Sequence, residues 1–139
     1  MYIDIAKNTT MKNNIAQVHS LDDAVKLKNK NVLVLPDQYH SDIGLMKLFA
    51  RGNSVFLIDL GRIIENYGFR RAIEMAKMRR FLLICIKYEI AFALGFFAKD
   101  EFSTRNSQEL CNIATLIGLN IGQAKFGLER LKEYIKSSK

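Results

Sequence analysis

The 139-residue chain has no tryptophan, one proline (Pro36), two cysteines and two histidines. Cys85 and Cys111 lie in apolar stretches with no CxxC spacing, which argues against a disulfide framework or a zinc site and suits a reducing compartment. No Gly/Ser-rich stretch, charge run or internal repeat breaks the chain, so residues 1–139 read as one domain. Met1-Tyr2-Ile3-Asp4 lacks the basic segment and apolar run of a secretory signal. The most apolar window, Phe81 to Ala98, carries Lys87 and Glu89 at its centre, which argues against a membrane span. The expected location is therefore the cytoplasm.

Catalytic signatures are also missing. There is no GxSxG, Walker loop or GxGxxG; Gly122 and Gly127 are too far apart and fall within a helical pattern. His19 and His40 stand singly, each just before a helix cap. Asp4, Asp37 and Asp59 lie at or near strand ends, where α/β sites form, but each lacks companion ligands. The residues assemble no catalytic set, no metal set and no cofactor motif, so the chain reads as a binder. A small metal-dependent hydrolase using those aspartates is the alternative.

What is present is a chain 49% hydrophobic and 25% charged, with 21 Lys and Arg against 14 Asp and Glu. The net charge of +7 favours a polyanionic partner. Tyr2 to Ala6 reads as a short strand, and Ser20 caps a helix running to about Lys28. Val32 to Leu35 is a buried strand stopped by Pro36-Asp37. Ser41 is expected to cap a helix from Asp42 to Arg51, ended by Gly52. Val55 to Leu60 is a strand, a long helix runs from near Asn66 to Tyr88, and Ile90 to Phe97 is a further strand. Two helices close the chain, with capping-box pairs Asn106/Glu109 and Asn120/Gln123, and Gly118 between them. Strands alternating with helices predict an α/β fold with a mainly parallel sheet of four or five strands and two C-terminal helices. A complete (β/α)8 barrel needs roughly 200 residues or more, so the expected architecture is a partial TIM-barrel-like βα-repeat fold.

The segment from Asn66 to Arg80 holds five basic residues and one acid. On a helical projection Arg70, Glu74 and Lys77 share a face with Arg80 beside it, a stripe suited to phosphate groups. Ala72, Met75, Ala76, Leu82, Leu83 and Ile86 share the opposite face, with Arg79 in its middle. Arg79 must then reach out at a rim or pair with a carboxylate. From Phe81 to Ile86 the helix is apolar all round, so Phe81 and Ile84 face a partner protein, a second copy of the chain, or the two final helices. A half-barrel also leaves open sheet edges, which predicts self-association or a partner subunit.

Gly68-Phe69-Arg70-Arg71-Ala72, Met78-Arg79-Arg80 and Lys87-Tyr88-Glu89-Ile90 together resemble protein component 3 of ribonuclease P, the barrel-type subunit of the archaeal and eukaryotic enzyme. The resemblance continues through Ala98, Arg105-Asn106-Ser107-Gln108-Glu109-Leu110, Ile113 to Leu119 and Ala124-Lys125, and is strongest over residues 52–131. It implies a TIM-barrel-like, N-terminally shortened subunit of the ribonucleoprotein that removes 5′ leaders from precursor tRNA. Catalysis would belong to the RNA component with magnesium, and the protein would bind no cofactor itself. The implied partners are ribonuclease P RNA, precursor tRNA and other protein subunits, especially a small ferredoxin-like one; a homodimer is a further possibility, as is an assembly role without RNA contacts. Arg70, Arg71, Arg79, Arg80 and Arg105 match basic positions of the family, and charge and placement add Lys77 and Lys99 as RNA contacts. Leu57 stands where the family often has glutamate, Ser107 where it has proline, and Gly95-Phe96-Phe97 replaces a small polar segment.

Overall fold

A computed structural model describes residues 15–65, 67–95 and 107–137. The expected strand Tyr2–Ala6, with Asp4, lies outside them, as do Asn66, Phe96, Phe97, Lys99, Arg105 and Asn106. In chain order the elements are β1 (Ile15–Val18), α1 (Leu21–Lys26), β2 (Leu33–Pro36), α2 (Ile43–Ala50) and β3 (Val55–Asp59). They continue with α3 (Gly61–Glu65), α4 (Gly68–Lys87), β4 (Phe92–Gly95), α5 (Ser107–Leu116) and α6 (Ile121–Ser137). The four strands form one all-parallel sheet in the order β1-β2-β3-β4. This is a partial barrel-like βα fold.

β2 and β3 bury every residue, as expected of parallel strands covered on both faces. One strand face carries Ala16, Val18, Val34, Phe56, Ile58 and Leu94 into the main core, to which all six helices contribute. The alternate residues Ile15, Leu33, Leu35, Val55, Leu57 and Ala93 form a smaller cluster on the other face, with Leu131 of α6 packed against it. β1 corrects the sequence reading, which passed over Ile15-Ala16-Gln17-Val18. Its Ala and Gln are weak strand formers, and the strand is specified by its register on β2, from Ile15 opposite Leu33 to Val18 opposite Pro36. α3 was likewise not anticipated.

Local chemistry sets the helix ends. Ser20 accepts the Asp23 N–H at 3.2 Å. The cap of α2 is Asp42 and not Ser41: the Asp42 carboxylate accepts the Leu45 N–H at 3.1 Å, so the helix starts one residue later than expected. Gly52 is demanded by close approach, because a Cβ there would lie 2.1 Å from the Lys28 carbonyl oxygen. The reciprocal box at α6 is formed, with Gln123 N–H on Asn120 at 2.7 Å and Asn120 N–H on Gln123 at 2.9 Å. α4 and α5 end alike. The Ile90 N–H returns to the Cys85 carbonyl at 2.7 Å and the Leu119 N–H to Ala114 at 3.4 Å. The left-handed residue is Gly118 in α5 (φ 97°) but Glu89 in α4 (φ 55°).

α4 is turned relative to the expected faces. Met78, Phe81, Leu82 and Cys85 are buried, whereas Ala72, Ala76, Leu83 and Ile86 are exposed. Phe81 is therefore no interface residue. Its ring stands edge-on to Tyr39 at 5.3 Å and to Phe56 at 4.9 Å, and Phe56 stacks on Phe49 at 4.0 Å. This aromatic row fixes the rotation of the helix, and Ile84 packs half-buried against the same core. At the far edge α6 lies along β4. A Cβ on Gly127 would meet Leu94 Cγ at 2.8 Å, and Arg130 donates to the Phe92 carbonyl at 3.0 Å. The β4 edge is thus covered by the chain itself. No described helix is long and apolar enough to cross a membrane.

Candidate functional site

Because the strands are parallel, their C-terminal ends share one edge, the edge at which α/β folds place their sites. There the β1–β2 register brings His19 to Asp37: the Asp37 N–H donates to the Val18 carbonyl at 2.9 Å, and the two side chains are in contact. Gln17 donates to the other Asp37 oxygen at 2.8 Å. The sequence singled out His19 and Asp37 separately; the fold pairs them.

One strand further in, Asp59 is buried at the end of β3 and its Oδ1 accepts the Gly61 N–H at 2.8 Å, which starts α3. Tyr39, 1% exposed, donates its hydroxyl to the Leu57 carbonyl and accepts the Asp59 N–H. Arg62 of α3 donates to the Pro36 carbonyl at 2.6 Å and sits 4.9 Å from the Tyr39 ring centre. Burial pushes the Tyr39 phenol far above its ordinary value; Arg62 opposes the shift, and Asp59 and Glu74 add to it. Arg62 and Tyr39 were missed in the sequence, although their places just beyond β3 and β2 were a usable signal. Among the described residues no three His, Cys, Asp or Glu are grouped so as to hold a metal ion.

The five basic residues of α4 from Arg70 to Arg80 do not form one stripe. Arg70 is exposed in the first turn, while Arg71 and Lys77 are partly buried, Lys77 reaching Gln38 at 3.5 Å. Arg79 does reach the rim, but its partner is a backbone carbonyl, Leu116 at the end of α5, at 2.6 Å. The outer face of α4 forms a groove of about 510 Å³ with Arg79 and Arg80 beside Ala72, Met75, Ala76 and Leu83. A second groove, of about 500 Å³, runs between α4 and the connection from β2 to α2. α4 contributes Ile73, Ala76, Lys77 and Arg80 to it, and the connection contributes Tyr39, His40 and Ser41. The sequence reading left His40 and Ser41 unassigned to any basic site, because 36 positions separate Ser41 from Lys77.

The sequence matches no protein-family model and no curated protein. Among solved structures, a chain of "cryo-EM structure of archaeal Ribonuclease P with mature tRNA" has the same fold, with a TM-score of 0.75 at 14% identity. The likeness covers 89% of this chain and 56% of that one, so this chain spans little more than half its length.

Proposed function

We propose that the chain is a protein subunit of a ribonuclease P, of the component 3 type, which binds and supports the RNA that removes 5′ leaders from precursor tRNA. The observation that carries this reading is the fold shared, over 89% of the chain, with a chain of an archaeal ribonuclease P structure. A net charge of +7 suits the polyanionic partner that such a role requires. The first turn of α4 adds to it: it has no acidic residue and no side-chain cap, yet carries the exposed Arg70. Cations there oppose the helix dipole, an arrangement whose cost an anionic partner would offset. Arg70, Arg71, Lys77, Arg79 and Arg80 are the described RNA contacts of this proposal, with Lys99 and Arg105 added from the sequence alone. Catalysis is assigned to the RNA with magnesium, and the protein partners to sister subunits, including a small ferredoxin-like one.

Purification of the native complex under mild salt tests this. Copurification of a ribonuclease P RNA with sister subunits, and cleavage of precursor tRNA by the complex, is the expected result. A preparation free of RNA, or one carrying only unrelated RNA, overturns it.

A further inference from the structure

The groove between α4 and the β2–α2 connection has the composition of an oxyanion site. Lys77 and Arg80 lie three residues apart on α4, so their cationic ends reach the same space. His40 faces them from the connection, and none of the described residues that line the groove is acidic. Two carboxylates adjoin the lining residues along the chain: Asp42, beside Ser41, is engaged in capping α2, and Glu74, beside Ile73 on α4, has one buried oxygen without a hydrogen-bond partner among the described residues but does not line the groove. Among the described residues Lys77 makes one long bond, 3.5 Å to Gln38, although an ammonium has three donors to give. The second, independent observation is Ser41. It lines the groove, and its hydroxyl is buried without a hydrogen-bond partner among the described residues. Buried hydroxyls are nearly always bonded, because an unbonded one costs its full desolvation. A serine hydroxyl in a groove shared with two cations can turn to donate to an oxyanion, and charge-assisted bonds of that kind are the strong ones.

We infer that this groove is a phosphate-binding site, in which Lys77 and Arg80 supply charge and Ser41 donates a hydrogen bond to a phosphate oxygen. The inference rests on the proposed function only for the source of the phosphate, taken to be the RNA backbone. A small free phosphate compound has the same chemistry.

The test uses the full chain, with inorganic phosphate and a 20-nucleotide RNA oligomer as probes, followed by backbone amide NMR shifts and RNA anisotropy. Phosphate is expected to move the amides of residues 39–41 and 76–80 saturably, and the RNA to displace it from them. Ser41→Ala leaves the net charge unchanged. It should weaken phosphate binding about tenfold, the loss of one hydrogen bond to a charged group. Its melting temperature should be equal to or above that of the unmodified chain, because an unsatisfied buried hydroxyl has been removed. Lys77→Gln should weaken binding at least as much. Saturable phosphate binding that RNA does not displace still supports the site and assigns it to a small phosphate compound, while the RNA reading loses this groove. Shifts spread over all surface lysines and arginines, with Ser41→Ala indistinguishable from the unmodified chain, overturn the inference.

Discussion

The hydroxyl of Tyr39 accepts the backbone N–H of Asp59 at 2.9 Å and donates to the carbonyl of Leu57 at 3.0 Å. The β2–β3 register runs from Leu33/Val55 to Val34/Phe56, and β3 continues to Asp59. A side chain from the β2–α2 connection thus takes up backbone groups of β3 beyond those paired positions. Tyr39→Phe keeps the edge contact with Phe81 and strips both bonds. Two buried backbone groups would then be left unsatisfied, at a cost of about 2–4 kcal/mol. Urea denaturation of the single variant reads this directly; a loss under about half a kcal/mol would show that the bonds contribute little.

Alkaline pH should destabilise the fold. Burial pushes the Cys85 thiol up from its ordinary value of 9.0 to about 12, and raises the Tyr39 phenol above its ordinary 10.0. The folded chain keeps these protons where the unfolded chain releases them. The unfolded state then binds fewer protons, so stability falls as pH rises. The loss should begin near pH 9, from the Cys85 value, and steepen above pH 10, from that of Tyr39. Each group adds up to about 1.4 kcal/mol per pH unit. Denaturation of Cys85→Ala at successive pH values should give a flatter curve in the first of these intervals, whatever its absolute stability.

Glu89 occupies the left-handed position that Gly118 holds in the matching end of α5. A side chain there crowds the following carbonyl, so Glu89→Gly should stabilise the chain by about 1 kcal/mol. Gly118→Ala should destabilise it by a similar amount. Thermal melts of the two variants should move in opposite directions, and a fall in both would show that Glu89 makes a compensating contact.

The parts of the fold legible in the sequence were those whose signals are local. Val32 to Leu35 read as a buried strand, which runs one residue further to Pro36, Val55 to Leu60 read as an apolar strand, and Asn120 with Gln123 specified a helix start by two reciprocal bonds. β1 was hidden because Ala16 and Gln17 carry no strand signal apart from their pairing with Val34 and Leu35. The rotation of α4 was hidden for the opposite reason. Apolar residues surround its second half, and the choice among faces is made by Phe56 and Tyr39, which lie elsewhere in the chain. The candidate site was legible as a set of cations and not as a shape. Nothing local to Lys77 indicates that His40 and Ser41 stand across a groove from it.

That rotation makes a contrast between two apolar residues of one helix. Phe81 is wholly buried and Leu83 is 57% exposed. Phe81→Ala should cost about 3–5 kcal/mol, as large-to-small changes in a packed core do. Leu83→Asp should change stability by no more than about half a kcal/mol. Circular dichroism and denaturation distinguish them. A folded, stable Phe81→Asp would restore the surface role that the structure withdraws.

Arg70 and Arg79 separate in the same way, this time by function. Arg70 is exposed in the uncapped first turn of α4, where its charge opposes the helix dipole. Arg79 holds the Leu116 carbonyl at the end of α5, where a cation both bonds and suits the dipole. Arg70→Glu should therefore raise the melting temperature slightly while weakening RNA binding. If Arg70 contacts a phosphate, its loss should reduce the slope of log affinity against log salt by roughly 0.7–0.9, and by a similar amount for unrelated RNA sequences. Arg79→Ala should lower the melting temperature, because the Leu116 carbonyl loses its donor. Its effect on the salt slope measures any phosphate contact made by Arg79 beyond that bond. Unchanged affinity and slope in Arg70→Glu would remove the first turn of α4 from the RNA interface and leave the exposed cation at its uncapped start without a purpose in binding.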